Sequence, residues 1–249
     1  MHGWELVVFA IAGFLSSIFS GIAGGGGGFV MTPLQIFLGL SPAQAVATGK
    51  LSGLSVTLGS LSGMRKMHGT VSKRRVIPVM VLALGVGLFV PYIITSLDSR
   101  VYRIALGIIL LLMIPVIIFK KMGIKPHPPT RLQKWVGGVL LTLSLLLQGV
   151  FSGGLGTLVN LVLMGMLGMT ALEANLTKRW SQIILNTTIV LGVLGSGLVQ
   201  WQVAAIGVVS TFAGGYVGGH IAVRKGDSFI MRTMIVLIVI SAVALIAGA

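Results

Sequence analysis

The stretch Gly39-Leu-Ser-Pro-Ala-Gln-Ala45-Val-Ala-Thr48-Gly-Lys50-Leu-Ser52 has a counterpart later in the chain, Gly168-Met-Thr-Ala-Leu-Glu-Ala174-Asn-Leu-Thr177-Lys-Arg179-Trp-Ser181. Upstream, Gly21-Ile-Ala-Gly-Gly25-Gly26-Gly-Gly28 pairs with Gly149-Val-Phe-Ser-Gly153-Gly154-Leu-Gly156 at nearly the same offset. Downstream, Asp98-Ser99 with Arg103 pairs with Asp227-Ser228 with Arg232, and each Asp-Ser reads as an N-cap for the helix that follows. Blocks kept in one order at nearly constant spacing mark an internal duplication. Recurrent membrane-helix composition accounts for the glycines, but not for the Thr-x-basic and Asp-Ser-x-x-x-Arg matches.

The duplicated unit belongs in lipid. Apolar residues make up 55% of the 249 positions and charged residues 9%, against roughly 25% charged in a soluble domain. Such a chain cannot cover its surface with polar groups. Its 36 glycines follow no Gly-X-Y period; glycine is common where membrane helices approach closely or break. There is no cysteine, which excludes disulfides, thiolate metal sites and thiol catalysis. The net charge is +14, with Glu5, Asp98, Glu173 and Asp227 as the acids. The basic residues stand in short runs between apolar segments, a topology signal rather than a nucleic-acid surface. Residues 1–5 lack the Lys or Arg of a signal-peptide n-region, so no cleavable signal is expected.

Apolar segments fall at about 4–23, 27–40, 42–64, 75–97 and 100–120, and again at about 133–151, 155–168, 171–195, 202–223 and 229–248. Most reach the ~20 residues that span a bilayer; the second of each set is shorter and is a broken or re-entrant helix candidate. The expected organisation is a first transmembrane repeat over 1–121, a cytoplasmic linker over 122–131 and a second repeat over 132–249. Arg65, Lys66, Lys73, Arg74 and Arg75 mark one cytoplasmic loop, and Lys120, Lys121, Lys125, Arg131 and Lys134 flank another. In the second half the loop equivalent to the first of these, Gly195 to Gln202, carries no charge, whereas the next carries Arg224 and Lys225. Equivalent loops then face opposite sides. The expected fold class is an all-α polytopic membrane protein of two inverted-topology repeats, about five helical segments each, with both termini external. Inverted repeats recur in secondary transporters.

Candidate binding residues follow from that frame. The glycine tracts, with Gly25, Gly26 and Gly28 in one half and Gly153, Gly154 and Gly156 in the other, precede the short helices. A broken helix presents free N–H groups and a positive dipole end to an anion; tight helix packing is the alternative reading. Lys50 and Arg179, equivalent by the repeat, lie about eight or nine residues into their helices, roughly 12 Å. Entering a core of about 30 Å from opposite faces, both approach the midplane. A lone charge there costs at least ~2.5–3.5 kcal/mol, so a mobile anion is the natural counter-ion. Snorkelling to the interface is the alternative for both, and it is the reading favoured for Lys178. Asn175, Arg179, Gln182 and Asn186 share one helix face; with Thr48 and Thr177 they offer hydrogen bonds to an oxyanion, or structural bonds between helices. Thr48, Ser52, Ser55, Gly59 and Ser62 form a small-residue packing stripe.

Catalytic chemistry finds no constellation. His2, His68, His127 and His220 have no metal-ligand spacing, and no phosphate-binding Gly-x-x-x-x-Gly-Lys-Ser/Thr occurs. No enzyme activity and no cofactor are expected.

Gly24–Gly28, Pro33-Leu34, Gly39, Ala45 and Ala47-Thr48-Gly-Lys50, repeated more weakly at Gly149–Gly156 and Thr177, resemble the sulfite exporter TauE/SafE family of membrane permeases over nearly the whole chain. The second half departs at Leu155, which interrupts the glycines, and at Leu161, where proline would match Pro33. The resemblance implies transport, commonly export, of sulfite, organosulfonates or related small anions across the bacterial cytoplasmic membrane. The expectation is a secondary transporter working by alternating access. Its partners are a small anionic substrate and the lipid bilayer, with no nucleic acid and the homo-oligomeric state left open. A passive anion channel and a non-transporting membrane sensor are the alternatives.

Overall fold

In a computed structural model, which describes residues 3–25, 27–67, 71–96, 128–151 and 155–236, the chain forms α1 (Gly3–Ala23), α2 (Gly27–Phe37), α3 (Pro42–Gly63), α4 (Lys73–Ser96), α5 (Arg131–Phe151), α6 (Gly156–Gly165), α7 (Ala171–Val193) and α8 (Trp201–Lys225). Residues 227–236 are again helical. Every regular element among the described residues is a helix. The expected segment at 100–120, the Asp98-Ser99 block and most of the linker lie outside them.

α1, α4, α5 and α8 are long and apolar enough to cross a membrane. Trp4, Trp135 and Trp201 stand exposed at the starts of α1, α5 and α8, where indole rings sit in the headgroup layer. The short α2 and α6 span only about 16 Å and 15 Å at 1.5 Å per residue, which agrees with the short second segments expected.

α3 and α7 match the others in length but are more polar, and they lie inside. α3 buries Thr48, Lys50, Ser52, Ser55, Thr57 and Ser60; α7 buries Asn175, Thr177, Lys178, Arg179, Ser181 and Asn186. Each starts at a capping box. Ser41 Oγ accepts the Gln44 N–H at 3.2 Å and Gln44 Oε1 accepts the Ser41 N–H at 3.0 Å; Thr170 and Glu173 repeat this, both bonds 3.2 Å. Asp227, expected to cap its own helix, instead accepts the Leu172 N–H at 2.7 Å. It satisfies an orphan donor at the start of α7, because the turn before residue 227 brings its carboxylate to that helix end.

The packing keeps its form when the halves are exchanged. α3 runs along α8, and α7 along α4; α1 meets α8, and α5 meets α4; α3 and α7 meet each other. The α8 seam is closed by small residues. A Cβ on Gly214 or Gly218 would overlap the Phe14 or Ile18 carbonyl of α1, and one on Gly219 would overlap the Ser60 carbonyl of α3. The small-residue stripe of α3 works as packing here: Ser55 Oγ donates to Val208 O at 2.6 Å, and Thr211 Oγ1 donates to Ser52 O at 3.0 Å. α4 differs from α8 in carrying two internal prolines, Pro78 and Pro91.

Candidate functional site

A cavity of about 80 Å³ lies where α2 and α6 begin; a water molecule in the liquid takes about 30 Å³. It has room for a small polyatomic ion. Four position pairs that the repeat alignment sets opposite each other line it together: Ser20 with Gln148, Gly28 with Gly156, Gly49 with Lys178, and Gly53 with Gln182. The N-terminal turns of both short helices face this space, so two positive dipole ends bear on it.

The lining is polar and incompletely satisfied. Gln35, 1% exposed, has no partner at either Nε2 or Oε1. Ser52 Oγ, Gln148 Oε1 and Gln182 Oε1 are likewise buried without a partner. Buried polar atoms are nearly always paired, so a group of open ones around one cavity marks a place where a ligand or water bonds. Lys178 is the charged residue among the described lining residues, and no acid is among them.

Lys178 corrects an expectation. It does not snorkel; it is 1% exposed. Its ammonium sits against Gly156, so close that a Cβ there would overlap it. The cause is that α7 is enclosed by other helices and offers its lysine no route to the interface.

Lys50 and Arg179 are also buried, at 3% and 1%, which removes the snorkelling alternative for both. Neither lines the cavity. Lys50 Nζ donates to Gln148 O at 2.9 Å. The Arg179 guanidinium donates to Ser20 O, and its Nε donates to Asn175 Oδ1 at 3.2 Å. Each cation thus reaches the last turn of the other half's first helix, where carbonyls lie at a negative dipole end. Asn175 Nδ2 donates to Ile22 O and Asn160 Nδ2 to Ala23 O, both at 2.9 Å, so side chains from α6 and α7 hold the end of α1. Gly24 follows with φ of 74° and is wedged against Asn160 and Asn175 so tightly that a Cβ would overlap the Asn160 amide. Both the left-handed backbone and the close approach require glycine.

Of the other expected residues, Gly25, Gly28, Gly156 and Gln182 line the cavity. Asn186, 3% exposed with Nδ2 unpartnered, lies beside the lining residue Gly53. Thr48 is away from it, accepting the Gln200 N–H at 3.0 Å; Thr177 is fully buried and does not line it. Gly26, Gly153 and Gly154 lie outside the described residues. The reading missed Lys178, Gln35 and Gln148. One signal for Lys178 was present: it stands four residues before Gln182, on the same helix face.

A polar cavity between two broken helices, inside a helical bundle whose outer faces are apolar, is the arrangement of a multi-pass membrane transporter. The chain belongs to the sulfite exporter TauE/SafE family, whose model matches residues 9–245. It is 26% identical over 245 residues to the probable membrane transporter protein ORF9 of a Sinorhizobium species, covering 95% of this chain and 89% of that protein. It is 25% identical over 235 residues to a probable membrane transporter protein of Haemophilus influenzae, covering 93% and 90%. No solved structure matches. The protein is a membrane transporter and not an enzyme.

Proposed function

We propose that the protein is a secondary transporter that exports a small sulfur-containing oxyanion, such as sulfite or an organosulfonate, across the cytoplasmic membrane by alternating access. The observation that carries this reading is the cavity lined by repeat-equivalent pairs, with one ammonium, no described acid and two helix N-termini around it. Lys178 supplies the counter-charge. Gln35, Gln148, Gln182 and Ser52 replace part of the hydration shell, with the amides rotated to present N–H groups to oxygen. Asn186 stands behind Gly53 as a further donor. Lys50 and Arg179 position the helix ends that carry Gln148 and Ser20.

The inverted-repeat architecture is part of the proposal. It is supported by the charge asymmetry of equivalent loops and by helix partners that stay the same when the halves are exchanged. In a two-fold related pair, a rocking of one half against the other exposes the central cavity to each side in turn. The membrane potential supplies about 2.3 kcal/mol per charge per 100 mV, which drives an anion out of a negative interior without a coupled ion.

Flux into proteoliposomes tests this. Labelled sulfite, sulfate, thiosulfate and several sulfonates are offered singly; the expected result is saturable uptake of one group, with counterflow when unlabelled substrate is preloaded. Non-saturable flux without counterflow would identify a passive channel instead.

A further inference from the structure

The two halves differ at one seam, and the difference has the shape of a ligand. In α8 the buried Val203 and Ala204 occupy the positions that the repeat alignment sets opposite Arg74 and Arg75 of α4. Where α8 closes on α1 through glycines, α4 and α5 leave a groove of about 470 Å³ at their basic end. Arg74, Arg75 and Lys134 stand at its mouth, and Val79, Leu82 and Leu141 lie along it. No acid is among its described lining residues. Glu173 shares Arg75 at 3.6 Å, and Arg74 and Lys134 are exposed. A topology signal explains basic residues at helix ends, but it does not require an apolar trough opening between them.

We propose that this groove binds an anionic phospholipid. The phosphate sits among Arg74, Lys134 and Arg75, and one acyl chain runs down between α4 and α5. Charge complementarity selects the headgroup, and the apolar walls at bilayer depth select the chain; basic pockets between transmembrane helices bind anionic lipids in this manner. Gly138 lines the same groove, and a Cβ built on it meets nothing within 4 Å. A leucine there would enter the trough without moving the backbone.

The test is retention of added lipid by the full chain in detergent, read by native mass spectrometry, with thermal unfolding as the second readout. Phosphatidylglycerol, phosphatidylcholine and inorganic phosphate are compared. The expected result is retention of phosphatidylglycerol over phosphatidylcholine, with little effect of phosphate alone. The double variant Arg74→Gln/Lys134→Gln weakens retention roughly ten-fold or more, at ~1 kcal/mol per basic residue near the headgroups. Gly138→Leu weakens it with every charge intact, so each variant stands in for the other should one fail to fold. Equal retention of phosphatidylcholine, or wild-type retention by both variants, overturns the proposal. So does phosphate matching the lipid while Gly138→Leu changes nothing, which would leave a surface anion site. If no lipid is retained, the proposal is also overturned.

Discussion

The ammonium of Lys50 lies 2.9 Å from the carbonyl oxygen of Gln148. The repeat-equivalent Arg179 makes the equivalent bond to Ser20. Each cation crosses into the other half and holds a residue that lines the cavity, while standing outside the cavity itself. The two ties are therefore expected to govern how the halves move more than how tightly the anion is held.

Lys50→Met should lower the maximal flux while the half-saturation concentration shifts by less than about threefold, a change under ~0.7 kcal/mol. Lys50→Arg, which keeps the donor and the charge, should recover much of the flux. Saturation curves in proteoliposomes separate the two parameters. A large rise in half-saturation with unchanged maximal flux would make Lys50 a direct ligand.

Lys178→Gln should behave in the opposite way. It removes the charge from the cavity and leaves both ties in place. A charge-assisted hydrogen bond is worth about 1.5–3 kcal/mol, so anion affinity should fall roughly 10- to 150-fold in a folded protein. Calorimetric titration or ligand-induced thermal shift measures it. Wild-type affinity would remove Lys178 from the site.

Gly156→Ala tests the same ammonium without touching its charge. The new methyl group would overlap Lys178 Nζ, the far end of a flexible side chain, so the fold survives while the charge is displaced. Affinity should drop by about tenfold or more, close to the lower bound for losing the bond. Gly85→Ala in α4, whose Cβ meets nothing within 4 Å, is the matched control and should bind as wild type.

The inverted topology makes a prediction about labelling. Single cysteines at Lys73 and at Gln200, both exposed beside the starts of the equivalent helices α4 and α8, are introduced into a chain that has no cysteine of its own. An impermeant thiol reagent should reach them from opposite sides of the membrane. Labelling from one side would end the inverted-repeat reading.

Much of the helical frame was legible. The apolar segments at about 42–64 and 133–151 became Pro42–Gly63 and Arg131–Phe151, because hydrophobic length and caps decide such limits locally. Gly25, Gly28 and Gly156, expected at the starts of the short helices, line the cavity. The charge assignment was not legible. Lys178 and Arg179 are adjacent, about 100° apart around a helix of 3.6 residues per turn. Which of them faces the cavity depends on the rotation of α7, and its contacts with α4 are set by tertiary packing. Gln35 and Gln148 each look like one amide in an apolar run; only the folded bundle brings them to one space.

The glycines of α8 have a mechanical consequence. With backbone resting on backbone at Gly214, Gly218 and Gly219, a turn of α8 about its own axis by one residue, about 100°, would carry a side chain such as Val217 against the main chain of α1 or α3. The α1–α3–α8 trio is therefore expected to move as one rigid plank. Its counterpart around α4 has two prolines, each of which removes a helical hydrogen bond, and a splayed seam against α5. In the proposed alternating-access cycle, compliance is therefore expected in the first-half outer helix, and strain should collect near Pro78 and Pro91 rather than be shared equally.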